Sequence, residues 1–314
     1  MTEFFDGLSK EEQNVLKERI ERFNELRKEP RNAIVPEENM ILPKGTLIHG
    51  TSFNKETLKS ISHSGIITGQ FFGIEEDGET FYCADFHRVP EDQTLKEYND
   101  KFPYNDGRCP FGNLGKNSVA FIIFPDGRMN EITKYDCFNS DTEEGKVARK
   151  FVNEEGLPYD DKEIMSSILF GVPSNFINGI VVGDNVISKE NIDELIDLYP
   201  DVFIVRNNGQ IIYKPGDNKE MTDLRVKNAE KDIKIEKLEK TNKALNDQVQ
   251  NQKENESNMW DAIYHLPKDQ IVKVLGSLGW QGDLEKYAEK LHKGEGTLKW
   301  KKYLYIIVWQ VMEI

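Results

Sequence analysis

A histidine, a glycine and a threonine follow one another at the end of a short apolar run, as His49, Gly50 and Thr51. An imidazole can hydrogen-bond a ribose hydroxyl, and a glycine lets a ligand approach the backbone closely enough to pair with its N–H and C=O groups. Further along, a second short apolar run carries Tyr82, whose flat ring can stack on a heteroaromatic group. These residue types indicate a pocket for the nicotinamide riboside end of a dinucleotide.

The order of these motifs resembles that of the histidine–tyrosine class of ADP-ribosyltransferases, which includes polymerase-like and DNA-targeting enzymes. In the polymerase type, a His-Gly-Ser/Thr turn is followed by a helix ending in Gly-Ile/Leu, a Phe-Gly loop and a Tyr-Phe-Ala strand. Here the same order reads His-Gly-Thr, Ser-Gly-Ile, Phe-Gly and Phe-Tyr-Cys-Ala. The resemblance implies an α+β domain with a split β-sheet and NAD as the substrate. It also implies that His49, Gly50, Thr51 and Tyr82 bind NAD, with Tyr82 stacked on the nicotinamide ring.

A third signature of the class is a carboxylate, which stabilises the positive charge that develops on the ribose when the bond to nicotinamide breaks. Glu163 lies upstream of a Val-Pro segment, as the glutamate of the DNA-targeting enzymes does. The polymerase-type position corresponds instead to Gln210, which is not an acid. The predicted catalytic residues are therefore His49, Tyr82 and Glu163, and the source of the carboxylate stays open.

The resemblance implies an NAD-dependent mono-ADP-ribosyltransferase or NAD glycohydrolase that acts as a bacterial or phage effector or toxin. Two other functions remain open: a sensor that binds NAD or ADP-ribose without turnover, and a scaffold that assembles through its C-terminal helices. The net charge of −14 opposes broad binding to phosphate backbones. A protein acceptor is therefore slightly favoured over a nucleic acid.

Two further kinds of site have weaker support. The residues Cys83, His87, Cys109 and Cys137 could in principle hold zinc, but they include no Cys-x2-Cys pair and their spacing is irregular. We expect no metal. An RNA 2′-phosphotransferase would need several arginines that converge on phosphates. The arginines of the β-rich region are scattered: Arg88, Arg108, Arg128, Arg149 and Arg206.

At 314 residues the chain predicts two domains. Its three cysteines are too few for a secreted disulfide framework, and the N-terminus does not read as a secretory signal. The longest apolar-rich run, 303–312, is shorter than the roughly 20 residues that span a bilayer. We therefore expect a cytoplasmic protein with no membrane span.

The pattern of the chain predicts four segments: an N-terminal helix in 1–39, the ADP-ribosyltransferase-like domain in 40–215, a coiled-coil or linker helix in 216–256 and a Trp-rich helical domain in 257–314. The predicted strands are 46–49, 80–83, 118–124, 179–182, 202–205 and 210–213, and the predicted helices are 9–28, 54–63, 91–100, 144–155 and 189–198. Ser9 and Glu12 have the spacing of a capping box at the first helix.

One side of the segment 220–256 carries a heptad seam, formed by Leu224, Ile235, Leu238, Asn242, Leu245 and Val249. Such a seam is typical of a coiled coil, and a seam Asn can fix the register and the number of strands. The segment therefore predicts a homo-oligomer, with a solvated linker helix as the alternative. The four tryptophans of 257–314 indicate a packed domain because exposed aromatic side chains are rarely so dense.

Overall fold

The computed structural model of the chain describes residues 8–67, 83–102, 118–139, 141–151, 164–277 and 282–293. The chain divides into two compact units, Met1–Lys234 and Ile235–Ile314. The first unit includes the N-terminal helix together with the whole β-rich region, so the predicted segments 1–39 and 40–215 belong to one compact body.

Strands and helices are interspersed along the first unit. The strands are β1 (Ile41–Leu42), β2 (Leu47–Ser52), β3 (Cys83–Arg88), β4 (Gln93–Thr94), β5 (Ser118–Ile123), β6 (Met165–Leu169), β7 (Gly179–Val182), β8 (Phe203–Arg206) and β9 (Ile211–Tyr213). The helices are α1 (Lys10–Leu26), α2 (Lys55–Ser64), α3 (Leu95–Lys101), α4 (Met129–Thr133), α5 (Glu143–Arg149) and α6 (Lys189–Leu198). A long helix, α7 (Lys219–Tyr264), follows, and then α8 (Lys268–Ser277) and α9 (Leu284–His292).

Within the described ranges, seven strands form one mixed sheet in the order β6-β3-β2-β5-β7-β8-β9. The pair β7–β8 is parallel and the other pairs are antiparallel. β1 and β4 form a separate two-stranded ribbon. The predicted mixture of short strands and helices is confirmed, with a large mixed sheet and a long helix.

The strands carry apolar side chains on both sides, and each face of the sheet packs into a hydrophobic core. On one face, Leu47 and Phe121 belong to a core that also contains Leu58 of α2 and Leu195 of α6. On the other face, a second core contains side chains of β2, β5, α1, α3 and α5: Ile48, Ile122, Leu16, Tyr98 and Val147. Successive residues of a strand point to opposite faces, so His49 lies on the same face as Leu47.

Local signals position the elements around β2. Helix α2 begins after Asn54, whose side chain accepts a hydrogen bond from the backbone N–H of Thr57 at 3.1 Å. It ends at Gly65, which has φ +103°, a conformation that L-residues rarely adopt. Ile66 then forms an isolated antiparallel bridge with Val172. This bridge ties the chain after α2 to the segment that follows β6.

Many of the predicted elements are confirmed within a residue or two. The capping box of Ser9 and Glu12 begins α1, and α6 and β7 have the predicted bounds. The residues Asn207, Asn208 and Gly209 form the turn that joins β8 and β9, with Gly209 at φ +90°. The predicted helix 91–100 begins later, at Leu95, because Gln93 and Thr94 pair with β1 and Thr94 caps the helix. Strand β6 was not predicted. Strand β3 runs from Cys83 to Arg88, so it shares only Cys83 with the predicted strand 80–83, whose other residues lie outside the described ranges.

The segment predicted as a coiled-coil or linker helix lies in α7, which continues to Tyr264. In the first unit, α7 buries Thr222, Val226, Ala229 and Ile233. In the second unit, α8 begins directly after Pro267, and Ile271 of α8 is buried. Trp280, Trp300 and Trp309 lie outside the described residues. Among the helices that are described, none is both long enough and apolar enough to cross a membrane.

Candidate active site

Strands β2 and β3 separate partway along their length. Their pairing consists of Leu47 with Arg88 and Ile48 with His87. The pairing of β2 with its other neighbour, β5, continues to Ser52. From His49 onward, the edge of β2 that faces β3 therefore has no strand partner in the described part of the chain. In the described part of the chain, this edge of β2 carries backbone groups, such as those of Gly50, that no strand pairs.

His49 lies at the point where the two strands separate. Its Nδ1 atom is 2.8 Å from the backbone oxygen of Asp85 on β3, and its ring centre is 5.5 Å from that of Phe86. A carbonyl oxygen only accepts hydrogen bonds, so Nδ1 must carry the hydrogen. The neutral ring then presents a lone pair on Nε2, which can accept a hydrogen bond from a hydroxyl group.

The surroundings of His49 favour its neutral form. Burial lowers the pKa of its imidazole, while the hydrogen bond to the Asp85 carbonyl acts in the opposite direction. Taken as a whole residue, His49 is partly exposed at the surface. At physiological pH, His49 is therefore a fixed, neutral hydrogen-bond acceptor at the rim of the opening.

Gly50 and Thr51 continue β2 along the opening, and both are half-exposed. Gly50 pairs with Ala120 of β5. Because Gly50 has no side chain, a flat amide can approach the backbone here more closely than at another residue. His49, Gly50 and Thr51 are thus consecutive residues of β2, and all three are partly exposed.

Tyr82 and Glu163 lie outside the described residues. Their neighbours in sequence are described and lie at opposite ends of the β3–β6 pair. Cys83 pairs with Leu169 at one end, while Ile164 accepts a 2.7 Å hydrogen bond from the backbone N–H of Arg88 at the other. At about 3.4 Å per residue, these ends are roughly 17 Å apart.

Gln210, the alternative to Glu163, lies far from His49. It directly precedes β9, which is separated from β2 by β5, β7 and β8. With about 4.8 Å between neighbouring strands, the separation is roughly 19 Å. Its side-chain nitrogen donates a 2.8 Å hydrogen bond to Asp232 of α7. Gln210 therefore has a structural role, and it does not supply the missing acid.

A polar network links β3 to β6 beside the opening, and the motifs gave no sign of it. Ser167 donates a 2.5 Å hydrogen bond to Oδ1 of Asp85. Asp136 is buried and accepts hydrogen bonds of 2.5 Å from both Arg88 and Ser166. The network fixes β6 to β3 and thereby fixes the backbone carbonyl that orients His49.

Two cysteines lie next to this network. Cys83 is half-buried on β3, and Cys137 is buried. Burial raises the pKa of Cys83, and it raises that of Cys137 to about 12. Neither thiol is therefore ionised at neutral pH, and neither is a candidate nucleophile.

The described residues include some of the cysteines and arginines considered above for zinc and for phosphate. They contain no group of three or more His, Cys, Asp or Glu side chains that could hold a metal ion, and Cys109 lies outside them. Aspartates engage three of the scattered arginines within hydrogen-bonding distance: Arg88 with Asp136, Arg128 with Asp126 and Arg206 with Asp184. These guanidinium groups serve the fold of the protein itself.

Comparisons with protein-family models, with curated proteins and with solved structures gave no match. The functional argument for this chain therefore depends on the residues and on the geometry around the opening between β2 and β3.

Proposed function

We propose that the first unit is an NAD-dependent mono-ADP-ribosyltransferase or NAD glycohydrolase, built on an ADP-ribosyltransferase-like split sheet. The observation that carries this proposal is the position of His49. It stands where β2 leaves β3, and the Asp85 carbonyl holds its ring with Nε2 free to accept a hydrogen bond.

The opening provides contacts of the kind that nicotinamide riboside needs. In the proposed complex, Nε2 of His49 accepts a hydrogen bond from a ribose hydroxyl. The backbone of Gly50 pairs with the carboxamide, whose N–H donates and whose oxygen accepts. Tyr82, which directly precedes β3 in sequence, stacks on the pyridinium ring, an arrangement that a positive charge on the ring strengthens.

The reaction breaks the bond between the nicotinamide nitrogen and the ribose carbon. The electron pair of that bond leaves with nicotinamide, which becomes neutral, and positive charge develops on the ribose. A carboxylate near the ribose stabilises this charge. Glu163 is the acid that the sequence offers for this role, upstream of Val172 and Pro173, and Glu163→Gln tests it. An acceptor hydroxyl, amine or water molecule then attacks the ribose carbon and loses its proton.

Single transfer or hydrolysis is preferred to polymer formation because the polymerase-type position for the glutamate corresponds to Gln210. Gln210 lies at the opposite edge of the sheet from β3 and is bonded to α7. The acceptor is a protein, a nucleic acid or water, and the acidity of the chain favours a protein over a nucleic acid.

The test is release of labelled nicotinamide from NAD by the full chain. Replacement of His49 by Ala should abolish release, while the control His63→Ala should leave it unchanged, because His63 is exposed on α2. Glu163→Gln should bind NAD but release nicotinamide at least a hundredfold more slowly, about 2.7 kcal/mol in the barrier. Equal release by the His49→Ala variant and the unaltered chain would refute the proposal.

A second function, an NAD- or ADP-ribose-binding sensor, is favoured by one observation. The described neighbours of Tyr82 and Glu163 stand at opposite ends of the β3–β6 pair. A site with histidine and tyrosine but no nearby carboxylate would bind the dinucleotide without cleaving it. Calorimetric NAD binding that is lost in His49→Ala, with no nicotinamide release from the unaltered chain, would identify the sensor.

A further inference from the structure

Helix α7 presents a row of large apolar side chains to solvent. Ile235 is 52% exposed, Leu238 64%, Leu245 53% and Val249 47%, and Asn242 is exposed among them. We call these five residues the central seam. Successive members are three or four residues apart, so they form one stripe along the helix. Single exposed apolar residues are ordinary, but a continuous stripe of them indicates a binding surface.

The central seam follows a different stripe of α7 from the residues that are buried in the first unit. The packed side contains Val226, Ala229 and Ile233. Each residue advances an α-helix by about 100°, which puts the two stripes on nearly opposite sides. Leu224 lies on the same stripe nearer the start of the helix and is exposed too, with the polar residues Asn228 and Lys231 at the seam positions between it and Ile235.

The residue types of the seam specify a particular partner. Ile235, Asn242 and Val249 occupy the a positions of successive heptads, while Leu238 and Leu245 occupy the d positions. β-Branched residues at a with Leu at d favour two parallel strands. A single Asn at an a position can pair with its counterpart across a parallel interface, whereas an antiparallel partner would bury it against Leu. We propose that a second copy of this chain binds the central seam in a parallel, two-stranded coiled coil, in register at Asn242.

Charges beside the seam support the same arrangement. In a parallel pair, the g residue of one helix lies near the e residue five positions later in the other helix. Here Lys234 at g would meet Glu239 at e of the second copy, and both side chains are exposed. Opposite charges at these positions select a parallel partner.

The first test is the mass of the full chain, measured by size-exclusion chromatography with light scattering at several concentrations. The measured mass of the protein should be twice the 36.3 kDa of one chain. Leu238→Glu and Leu245→Glu should each halve the measured mass. Gln250→Glu introduces the same residue at an exposed position off the seam, so this matched control should stay dimeric. Circular dichroism should show unchanged helix content, because the substituted side chains are exposed within one chain.

A second test determines whether the α7 helices of the two copies are parallel and in register. Asn242→Cys should give a disulfide-linked dimer under mild oxidation, with the unaltered chain as the control for its three cysteines. A monomeric wild-type protein would overturn the proposal, and so would a dimer that survives both glutamate substitutions. A dimer that the Asn242→Cys substitution fails to cross-link would overturn the parallel, in-register arrangement.

Discussion

The hydroxyl of Ser167 lies 2.5 Å from Oδ1 of Asp85, across the pair of strands that borders the candidate active site. The two residues are also register partners in the β3–β6 ladder. Burial raises the pKa of Asp85, and the Ser167 hydrogen bond acts against that increase. The hydroxyl therefore stabilises a charged carboxylate on the same residue whose backbone oxygen orients His49.

Replacement of Ser167 by Ala should destabilise the protein by about 1–2 kcal/mol at neutral pH, because a half-buried carboxylate loses its donor. Since the pKa of Asp85 is raised in the folded protein, its favourable contribution is complete below the ordinary aspartate pKa and is lost as pH rises through the raised value. In mild acid Asp85 is protonated and depends less on the Ser167 hydroxyl as a donor. The loss of stability in the Ser167→Ala variant should therefore be smaller there. Urea unfolding at both pH values measures it, with Ser62→Ala on α2 as the control. An equal deficit at both pH values would count against this account.

The Arg88–Asp136 pair should be worth more than an ion pair at the surface. Asp136 is buried and lies 2.5 Å from the guanidinium group of Arg88, which is part-exposed. Asp136→Asn should lower the free energy of unfolding by about 1–3 kcal/mol, because Arg88 keeps its charge without a counter-charge. The control is Glu91→Gln, which breaks an exposed pair with Lys101 and should cost at most about 1 kcal/mol. If urea unfolding shows that Asp136→Asn and Glu91→Gln lower the free energy of unfolding equally, burial does not make the Arg88–Asp136 pair stronger.

Much of the fold could be predicted because its signals are local. Ser9 and Glu12 are close enough in sequence to identify a helix start, and the Asn-Asn-Gly turn carries its own preference for positive φ. Strand β6 has no such signal: its sequence, Met-Ser-Ser-Ile-Leu, puts two serines in a wholly buried strand. Those serines are satisfied by Asp85 and Asp136, which are distant in sequence, so no local pattern could reveal the strand.

Only part of the candidate site could be predicted from the sequence. His49 and Gly50 could be proposed as candidates because an imidazole and an uncovered backbone are groups that can hydrogen-bond a ligand. The partner of His49 could not, because it is a backbone oxygen, which every residue possesses. The separation of β2 from β3 depends on strand pairing across the chain and has no counterpart in the composition of either strand.

Gly65 should tolerate substitution far less well than Gly209. Both have positive φ, at +103° and +90°. A Cβ at Gly65 would lie 2.2 Å from the backbone oxygen of Val172, whereas a Cβ at Gly209 would meet nothing within 4 Å. Gly209→Ala should cost about 1–2 kcal/mol from backbone conformation alone. Gly65→Ala should cost about 3 kcal/mol or more, because a clash with backbone adds to that strain.

Thermal or urea unfolding of the two variants measures this difference. Both introduce the same methyl group at a positive φ, so each is the control for the other. Similar losses of stability would show that the chain after α2 can move away from Val172 at little cost. The bridge between Ile66 and Val172 would then not hold the segment that follows the candidate site.

The pH dependence of NAD binding should report the state of His49. In the proposed complex the neutral ring accepts a hydrogen bond at Nε2, and protonation of Nε2 removes that acceptor. Affinity should therefore be lost as pH falls through the pKa of His49. Because burial lowers this pKa, the loss should occur below the ordinary imidazole value of about 6.5. Calorimetric titration of NAD across this range measures it.

His49→Gln should bind NAD more weakly and without this loss of affinity in acid, while His63→Ala should retain it. An acid limb that persists in His49→Gln would assign the titration to another group and remove His49 from contact with the ribose.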